Sequence, residues 1–319
     1  MTIVFGPVPS RRLGRSLGIN NIPYKHCTYS CIYCQLGRTT KMIMDRRRFY
    51  DPERIVEEVK MILSKVKEKV DYVTFVPDGE PTLDINLGKT IRMLKQEINI
   101  PIAIITNASL LWRSDVVNDV IEADLVSVKV DAGDEYTWRK INRPHPRLEF
   151  QKVVNGLIEF SKEYKGKLIT ETMLIENLNT TRNVFEKIIN LISMLSPWKT
   201  YLAIPIRPPA EKWVKAPTPS ELIEAYNIAV SKLGEDKVYL LNMPEPPEFV
   251  ISNDVKEYIL STSSVHPIRY DYLVQVLLDK GVDPEELLKE LLREELIEIV
   301  EYNGALFILR NFSQKPTEK

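Results

Sequence analysis

The feature that most restricts the fold of this 319-residue chain is a regular alternation between two hydrophobic periods. Apolar side chains recur three and four apart near residues 51–69, 86–97, 148–164, 180–194 and 219–233, the spacing of amphipathic helices. Asp51 and Pro52 supply the first of these with a cap and a first-turn proline. Between the helical patterns lie 72-YVTFV-76, 101-PIAIIT-106, 125-LVSVKV-130, 168-LITETMLI-175 and 201-YLAIPI-206. Short apolar runs bounded by helices read as parallel strands buried on both faces. With a first strand near 17-LGINNI-22, the pattern makes about six β/α units. The expected fold is α/β: a partial (β/α)6 TIM-like barrel, open enough to admit a cofactor and a sizeable substrate. The polar segments after the strands, 78-DGEP-81, 106-TNAS-109, 131-DAGD-134, 176-ENLN-179 and 207-RPPAEKW-213, should gather at its catalytic face.

The barrel is expected to occupy residues 1–243. Three prolines in 244-PEPPEF-249 cannot continue a helix or central strand and mark a linker. Residues 250–319 read as helices near 253–260, 269–280 and 284–296, then strands at 297–300 and 305–309 around Asn303-Gly304, a strong hairpin signal. That order predicts a small winged-helix-like domain. Its third helix and first wing strand, 284–301, carry seven acids against Lys289 and Arg293. Phosphates are bound by neutralising them with Lys and Arg, so this segment suits a protein contact or packing against the barrel better than nucleic acid.

No run of about eighteen apolar residues occurs, so no membrane span is expected. The N-terminal MTIVFGPVPSRRLG lacks the apolar core of a signal peptide. A net charge of −1 excludes a generic polyanion binder, although the first fifty residues hold nine Lys or Arg against Asp45 alone.

All three cysteines, Cys27, Cys31 and Cys34, fall within 26-HCTYSCIYCQLG-37. That is no disulfide framework, and it points to a reducing cytoplasm. Apolar packing gives no reason for three thiols to cluster in a polar, Tyr-rich loop. Zinc usually takes two separated ligand pairs, and His26 is too close to Cys27 to chelate the same ion well. A four-iron cluster held by three thiolates leaves one iron open to a small molecule, which accounts for the missing fourth ligand. A zinc-containing nucleic-acid-binding protein is the alternative.

Cys-x3-Cys-x2-Cys with Tyr33 before the last Cys, followed by 78-DGEP-81 after the second strand, resembles the radical S-adenosylmethionine (SAM) superfamily. The likeness covers most of residues 1–235. The segments 72-YVTFVPDGEPTL-83, 104-IITNAS-109, 126-VSVKVDAGDEYTWRKINRP-144 and the Arg-Pro-Pro at 207–209 look like its wyosine synthase-like branch, whose known members modify a guanine-derived base in tRNA. Archaeal and eukaryotic wyosine synthases carry a second three-cysteine cluster, for which this chain has no cysteines left.

The resemblance implies one [4Fe-4S] cluster on Cys27, Cys31 and Cys34, and SAM cleaved reductively to a 5′-deoxyadenosyl radical. It implies SAM contacts from Tyr33, Gly79, Glu80, Asn107, Lys129 and Asp131, with Glu80 accepting from the amino group. It also implies an electron donor of ferredoxin or flavodoxin type. The substrate is expected to be a tRNA base, or else a polypeptide or small molecule. Arg11, Arg12 and Arg15 at the barrel mouth, Lys41 near the cysteines, and Arg207 after the sixth strand are candidates to bind it. Any tRNA would meet the basic N-terminal half, including Arg46 to Arg48.

Overall fold

The structure, a computed structural model, describes residues 2–242 and 255–312. The chain opens with strands β1 (Val4–Ser10) and β2 (Gly14–Ile19), an antiparallel hairpin. The cysteine segment then carries the two-residue strands β3 (His26–Cys27) and β4 (Lys41–Met42), which pair in parallel. Next come α1 (Pro52–Leu63), β5 (Tyr72–Phe75), α2 (Leu87–Glu97), β6 (Ile102–Thr106), α3 (Ser114–Val120) and β7 (Leu125–Lys129). They are followed by α4 (Glu135–Asn142), α5 (Phe150–Glu163), β8 (Lys167–Met173), α6 (Arg182–Leu195), β9 (Lys199–Ala203), α7 (Pro219–Leu233) and β10 (Val238–Leu241).

One eight-stranded sheet runs β1-β2-β5-β6-β7-β8-β9-β10, and every pairing after the hairpin is parallel. The sheet curls into an open half-barrel: Leu13, Ala103, Leu125, Ile169, Tyr201 and Leu241 meet in one buried cluster on its inner face. The outer residues of the same strands, such as Val73, Ile104, Val126 and Leu168, pack with the helices in the main core. Two-residue alternation then fixes which side chains point inward. Following Leu125, these are Ser127 and Lys129; following Ile169, they are Glu171 and Met173.

The six expected strands are all present. Two more were not anticipated. The sequence of β1 contains Gly6, Pro7 and Pro9, which argue against a strand interior, but an edge strand tolerates prolines because one side needs no ladder partner. The last strand, β10, is only four residues long and occupies the other edge. Helix ends follow their caps: Asp134 accepts from Thr137 N at 2.8 Å, and Thr218 and Glu221 of α7 form a reciprocal capping box.

The C-terminal part contains α8 (Val255–Val265), β11 (Ile268–Arg269), α9 (Tyr270–Asp279), α10 (Pro284–Arg293), β12 (Ile297–Tyr302) and β13 (Ala305–Arg310). Its three-stranded sheet has the order β11-β13-β12 and its own core around Ile259, Leu277, Leu291 and Ile308. Asn303 and Gly304 both take positive φ (49° and 73°), the geometry the tight hairpin requires. The expected linker at 244–249 lies outside the described residues.

This small domain packs on the barrel. Val265 joins Phe5 and Val8 in a buried cluster. Thr2 Oγ1 donates to Glu257 at 2.6 Å, Tyr302 OH to Pro205 O at 3.2 Å, and Tyr24 stacks on Phe312 with centroids 3.7 Å apart. Among the described residues, no helix is long and apolar enough to cross a membrane.

Candidate active site

The cysteine segment is anchored by its backbone before any side chain is considered. Ser30 N donates to Asn142 O and Ile32 N to Ile141 O, each at 3.0 Å, and Glu211 N donates to Ile32 O at 3.0 Å. The Ile32 side chain is fully buried between these supports. Cys27, Cys31 and Cys34 line a cavity of about 330 Å³ inside the barrel, together with Tyr33, Gly79, Glu80, Asn107 and Lys129. None is in a disulfide.

Each sulfur has a side-chain N–H donor: Asn107 Nδ2 lies 3.6 Å from Cys27, Asn142 Nδ2 3.5 Å from Cys31, and Lys25 Nζ 3.2 Å from Cys34. Donors of this kind favour the thiolate and, in a cluster, tune its potential. Among the described residues, no three His, Cys, Asp or Glu side chains converge on a single ion position. Three separate thiols lining one cavity, each with a side-chain N–H donor, are a donor set of the kind that would hold an iron–sulfur cluster. Burial pushes the Cys27 and Cys31 thiols up to about 12, so ligation must displace their protons and grows more favourable as pH rises.

The turn after β5 is locked to this segment. A Cβ on Gly79 would stand 1.8 Å from the carbonyl oxygen of His26, so only glycine lets the two backbones pass. Beside it Glu80 N donates to the same oxygen at 3.0 Å. The Glu80 carboxylate is 1% exposed and ties the turn to β6. Its Oε1 accepts from Thr82 N (3.2 Å), Thr82 Oγ1 (2.6 Å) and Thr106 Oγ1 (2.5 Å), and its Oε2 from Asn107 N (2.8 Å). Burial raises its pKa against the pull of these donors. Oε2 keeps acceptor capacity for a ligand. Asp78 is held by Asn20 Nδ2 at 2.9 Å, and its Oδ1 has no partner.

Deeper in the barrel, inward-pointing charges neutralise one another. Lys129 donates to Glu171 at 2.9 Å and lies 3.6 Å from Asp131. Arg12 pairs with the other oxygen of Glu171. The Lys129 ammonium sits 5.0 Å from the Tyr33 ring centre, and the Tyr33 hydroxyl donates to Asp131. Asp131 also accepts from Asn142 Nδ2 and Met173 N, both at 2.8 Å. Burial lowers the pKa of Lys129.

Glu171 was missed in the sequence, though an acid within the apolar run 168-LITETMLI-175 was a usable signal, because buried acids need partners. Lys25 and His266 were missed too, and nothing local marked them.

The structure brings Tyr33, Gly79, Glu80, Asn107 and Lys129 to the cavity with the cysteines, while Asp131 stands behind Tyr33 and Lys129. Arg207 also reaches the cavity wall, where Nη1 donates to Gln35 Oε1 and Nη2 to His266 Nε2, each at 2.9 Å. The remaining placements need correction. Arg11 and Arg12 line the same cavity, but from the β1–β2 turn at the N-terminal ends of the parallel strands, so they reach it from the barrel floor and not its mouth. Arg11 Nη1 donates to Leu241 O at 2.8 Å, bridging the two sides of the curled sheet. Arg15 turns outward to Lys69 O and, through its backbone, to Asp71. Lys41 is exposed on β4, outside the cavity lining. Arg46 is spent inside the fold on Thr82 O (2.9 Å), Asp84 O (2.7 Å) and the carboxylates of Asp115 and Asp119.

A half-barrel with three cysteines before the first helix and a Gly-Glu turn after the next strand defines a class. The profile of the Radical SAM superfamily matches residues 21–188, and the chain belongs to that superfamily and is an enzyme of that class. It is 47% identical over 316 residues to a UPF0026 protein of Methanocaldococcus jannaschii, spanning 99% of this chain and 98% of the relative. Among solved structures, a radical SAM methyltransferase from Sphaerobacter thermophilus aligns with a TM-score of 0.50 at 12% identity, over 71% of this chain and 66% of that one. The structure of anSMEcpe with bound AdoMet and the Cp18Cys peptide aligns with a TM-score of 0.51 at 16% identity, over 77% and 65%. These likenesses are of fold.

Two outcomes follow from the turn at 78–81. Gly79→Ala is expected to push the cysteine strand away and abolish metal uptake while leaving most helical circular dichroism. Asp78 has its pKa raised from 3.8 to about 7 by burial, so the folded state holds its proton more tightly than the unfolded one. Its contribution is present below pH 4 and lost as pH rises to about 7, a cost of up to ~4 kcal/mol. Asp78→Asn should therefore gain on the wild type across that window in denaturant unfolding of metal-free protein. A difference that stays flat between pH 4.5 and 7.5 contradicts this.

Proposed function

We propose that Cys27, Cys31 and Cys34 hold one [4Fe-4S] cluster and that the enzyme cleaves SAM reductively beside it to modify a substrate. The supporting observation is the triad of cysteine sulfurs, each with its own N–H donor, facing the Gly79–Glu80 turn across one cavity. When bound, the cluster and SAM together supply an electron and a 5′-deoxyadenosyl radical that abstracts a substrate hydrogen. The chain's own residues bind and orient. Glu80 Oε2 would accept from the SAM amino group, Asn107 and Lys129 would serve its ribose and carboxylate, and Tyr33, fixed by Asp131, would pack near the adenine. Phe5, Val8, Ile204 and Val265 make the apolar wall that keeps water from the radical. The electron comes from a ferredoxin- or flavodoxin-like donor, in the cytoplasm.

For the substrate, a small molecule or a polypeptide side chain is the reading we favour. The tRNA reading rests on the likeness to the wyosine synthase-like branch. Against it, Arg11, Arg12 and Arg46 are engaged inside the fold, which leaves Arg47 and Arg48 as the exposed part of the basic segment 46–48, a small surface for a polyanion. We read residues 1–243 as the barrel and 250–319 as a winged-helix-like module, from the order α8-β11-α9-α10-β12-β13. Its α10 acids suit contact with protein, not nucleic acid.

Anaerobically reconstituted protein is expected to hold about four irons per chain and, with a strong reductant, to convert SAM to methionine and 5′-deoxyadenosine. Cys31→Ala should lose both properties. Stoichiometric zinc without iron, in protein from iron-replete cells, would count against the reading. Glu80→Gln should keep its iron but weaken SAM binding by roughly 1.5–3 kcal/mol, the worth of a hydrogen bond to a charged group. Unchanged SAM affinity in equilibrium dialysis would move the amino-group contact elsewhere. At low salt the full chain should show no tRNA binding that salt then weakens; such binding would restore the tRNA substrate.

A further inference from the structure

We propose that Lys25 is a built-in countercharge for the iron–sulfur cluster, a positioning residue whose ammonium on Cys34 raises the cluster's reduction potential; this rests on the cluster reading above. Three observations carry it.

The first is burial. Lys25 is 2% exposed, and lysine almost never disappears from solvent without an anionic partner. The second is the identity of its partners. Nζ donates to Cys34 Sγ at 3.2 Å and to Gly37 O at 2.7 Å. The buried carboxylate of Asp78 acts on Lys25 through space but is hydrogen-bonded to Asn20. In direct contact, the ammonium therefore faces one sulfur and one neutral carbonyl.

The third is backbone strain. Lys25 adopts a left-handed φ of 57°, which costs a residue with a Cβ and persists only where the surroundings impose it. Here Lys25 N donates to Asp78 O at 3.2 Å, and Lys25 O accepts from Lys41 N at 3.1 Å. The backbone is thus pinned on both sides, and the side chain it carries ends on Cys34 and Gly37.

The donors to the other two sulfurs are neutral amides, Asn107 on Cys27 and Asn142 on Cys31. In direct contact, the chain therefore sets a cation against one sulfur and dipoles against the others, while Lys129 acts on Cys31 through space. Cluster potentials respond to net charge and to hydrogen bonds at sulfur. Adding one electron makes the cluster one unit more negative, and a fixed cation at a ligand sulfur stabilises that reduced form. In water-poor surroundings the attraction is poorly screened.

The test is a redox titration of the reconstituted cluster, followed by electron paramagnetic resonance of the reduced form, with SAM omitted. Lys25→Gln keeps an N–H donor and removes the charge; Lys25→Arg keeps the charge; Lys25→Met removes both. At the potential where half the wild-type cluster is reduced, Lys25→Gln and Lys25→Met should show a reduced-to-oxidised ratio about tenfold lower, a midpoint lower by about 59 mV for one electron. Lys25→Arg should stay near the wild type. Unchanged midpoints in Lys25→Gln overturn the proposal, as does an equal drop in Lys25→Arg and Lys25→Gln. If Lys25→Met does not fold or take up iron, Lys25→Gln decides alone. If Lys25→Gln also fails to take up iron, loading by Lys25→Arg supports the countercharge and failure of all three overturns it. Wild-type protein that binds no iron would sink the cluster reading itself, a different result from a cluster that ignores Lys25.

Discussion

The close approach of His26 to Gly79 holds the site together. Each backbone belongs to a segment with other attachments: His26 to the cysteine loop, Gly79 to the turn after β5. Their contact, with the Glu80 amide on the His26 carbonyl at 3.0 Å, sets the distance between the cysteines and the end of the sheet. A side chain on Gly79 cannot be accommodated by a rotamer change, because the obstacle is a carbonyl oxygen 1.8 Å away. Glu80 then transmits the position to β6 through Thr106 and Asn107, and Asn107 returns to Cys27. The polar turn and the cysteine loop form one closed circuit of hydrogen bonds, anchored on parallel strands that are buried on both faces.

A second constraint comes from filling a half-barrel with charge. Lys129, Glu171, Arg12 and Asp131 are all largely removed from solvent, where an isolated charge is expensive. They are tolerated because each meets an opposite partner and a hydrogen-bond donor or acceptor. The β1–β2 turn contributes Arg12 from the floor, and the strand ends contribute the rest. The same turn places Leu13 in the inner apolar cluster, so one hairpin both plugs the barrel and supplies a countercharge. This explains why 10-SRRLGR-15 is basic without forming a surface patch: two of its arginines face inward.

What was legible in the sequence was local. The period of the apolar residues gave the six central strands, the Asn303-Gly304 turn gave the hairpin, and the cysteine spacing marked the site. Edge strand β1 was obscured by its glycine and prolines, whose meaning depends on having a neighbour on one side only. The inward positions of Lys129 and Glu171 needed the strand register, which the buried clusters on the two faces supply. Nothing local distinguishes Lys25 from a solvent lysine, since its burial depends on Gly37 and Asp78 packing around it. His266 lies 59 residues from Arg207, its partner across the cavity wall. No local pattern encodes that separation.

The small C-terminal domain makes sense once the cavity is seen as walled from two sides. Val265 and His266, at the end of α8, stand opposite the cysteine loop, and Gln35 links both sides, accepting from Arg207 and donating to Val265 O at 2.9 Å. Gln35 directly follows Cys34, so the domain contacts the residue next to a cysteine of the triad. The acidic stretch of α10 takes no part in this wall. Glu290 of that helix and Glu294 just after it are engaged by Lys256 of α8 within the same domain. Exposed pairs of this kind contribute little to stability, so they do not explain why the domain holds to the barrel. The apolar contact of Val265 with Phe5 and Val8, and the stacking of Phe312 on Tyr24, account for that attachment. The apolar side of the domain walls the cavity, and its charged side is left to solvent.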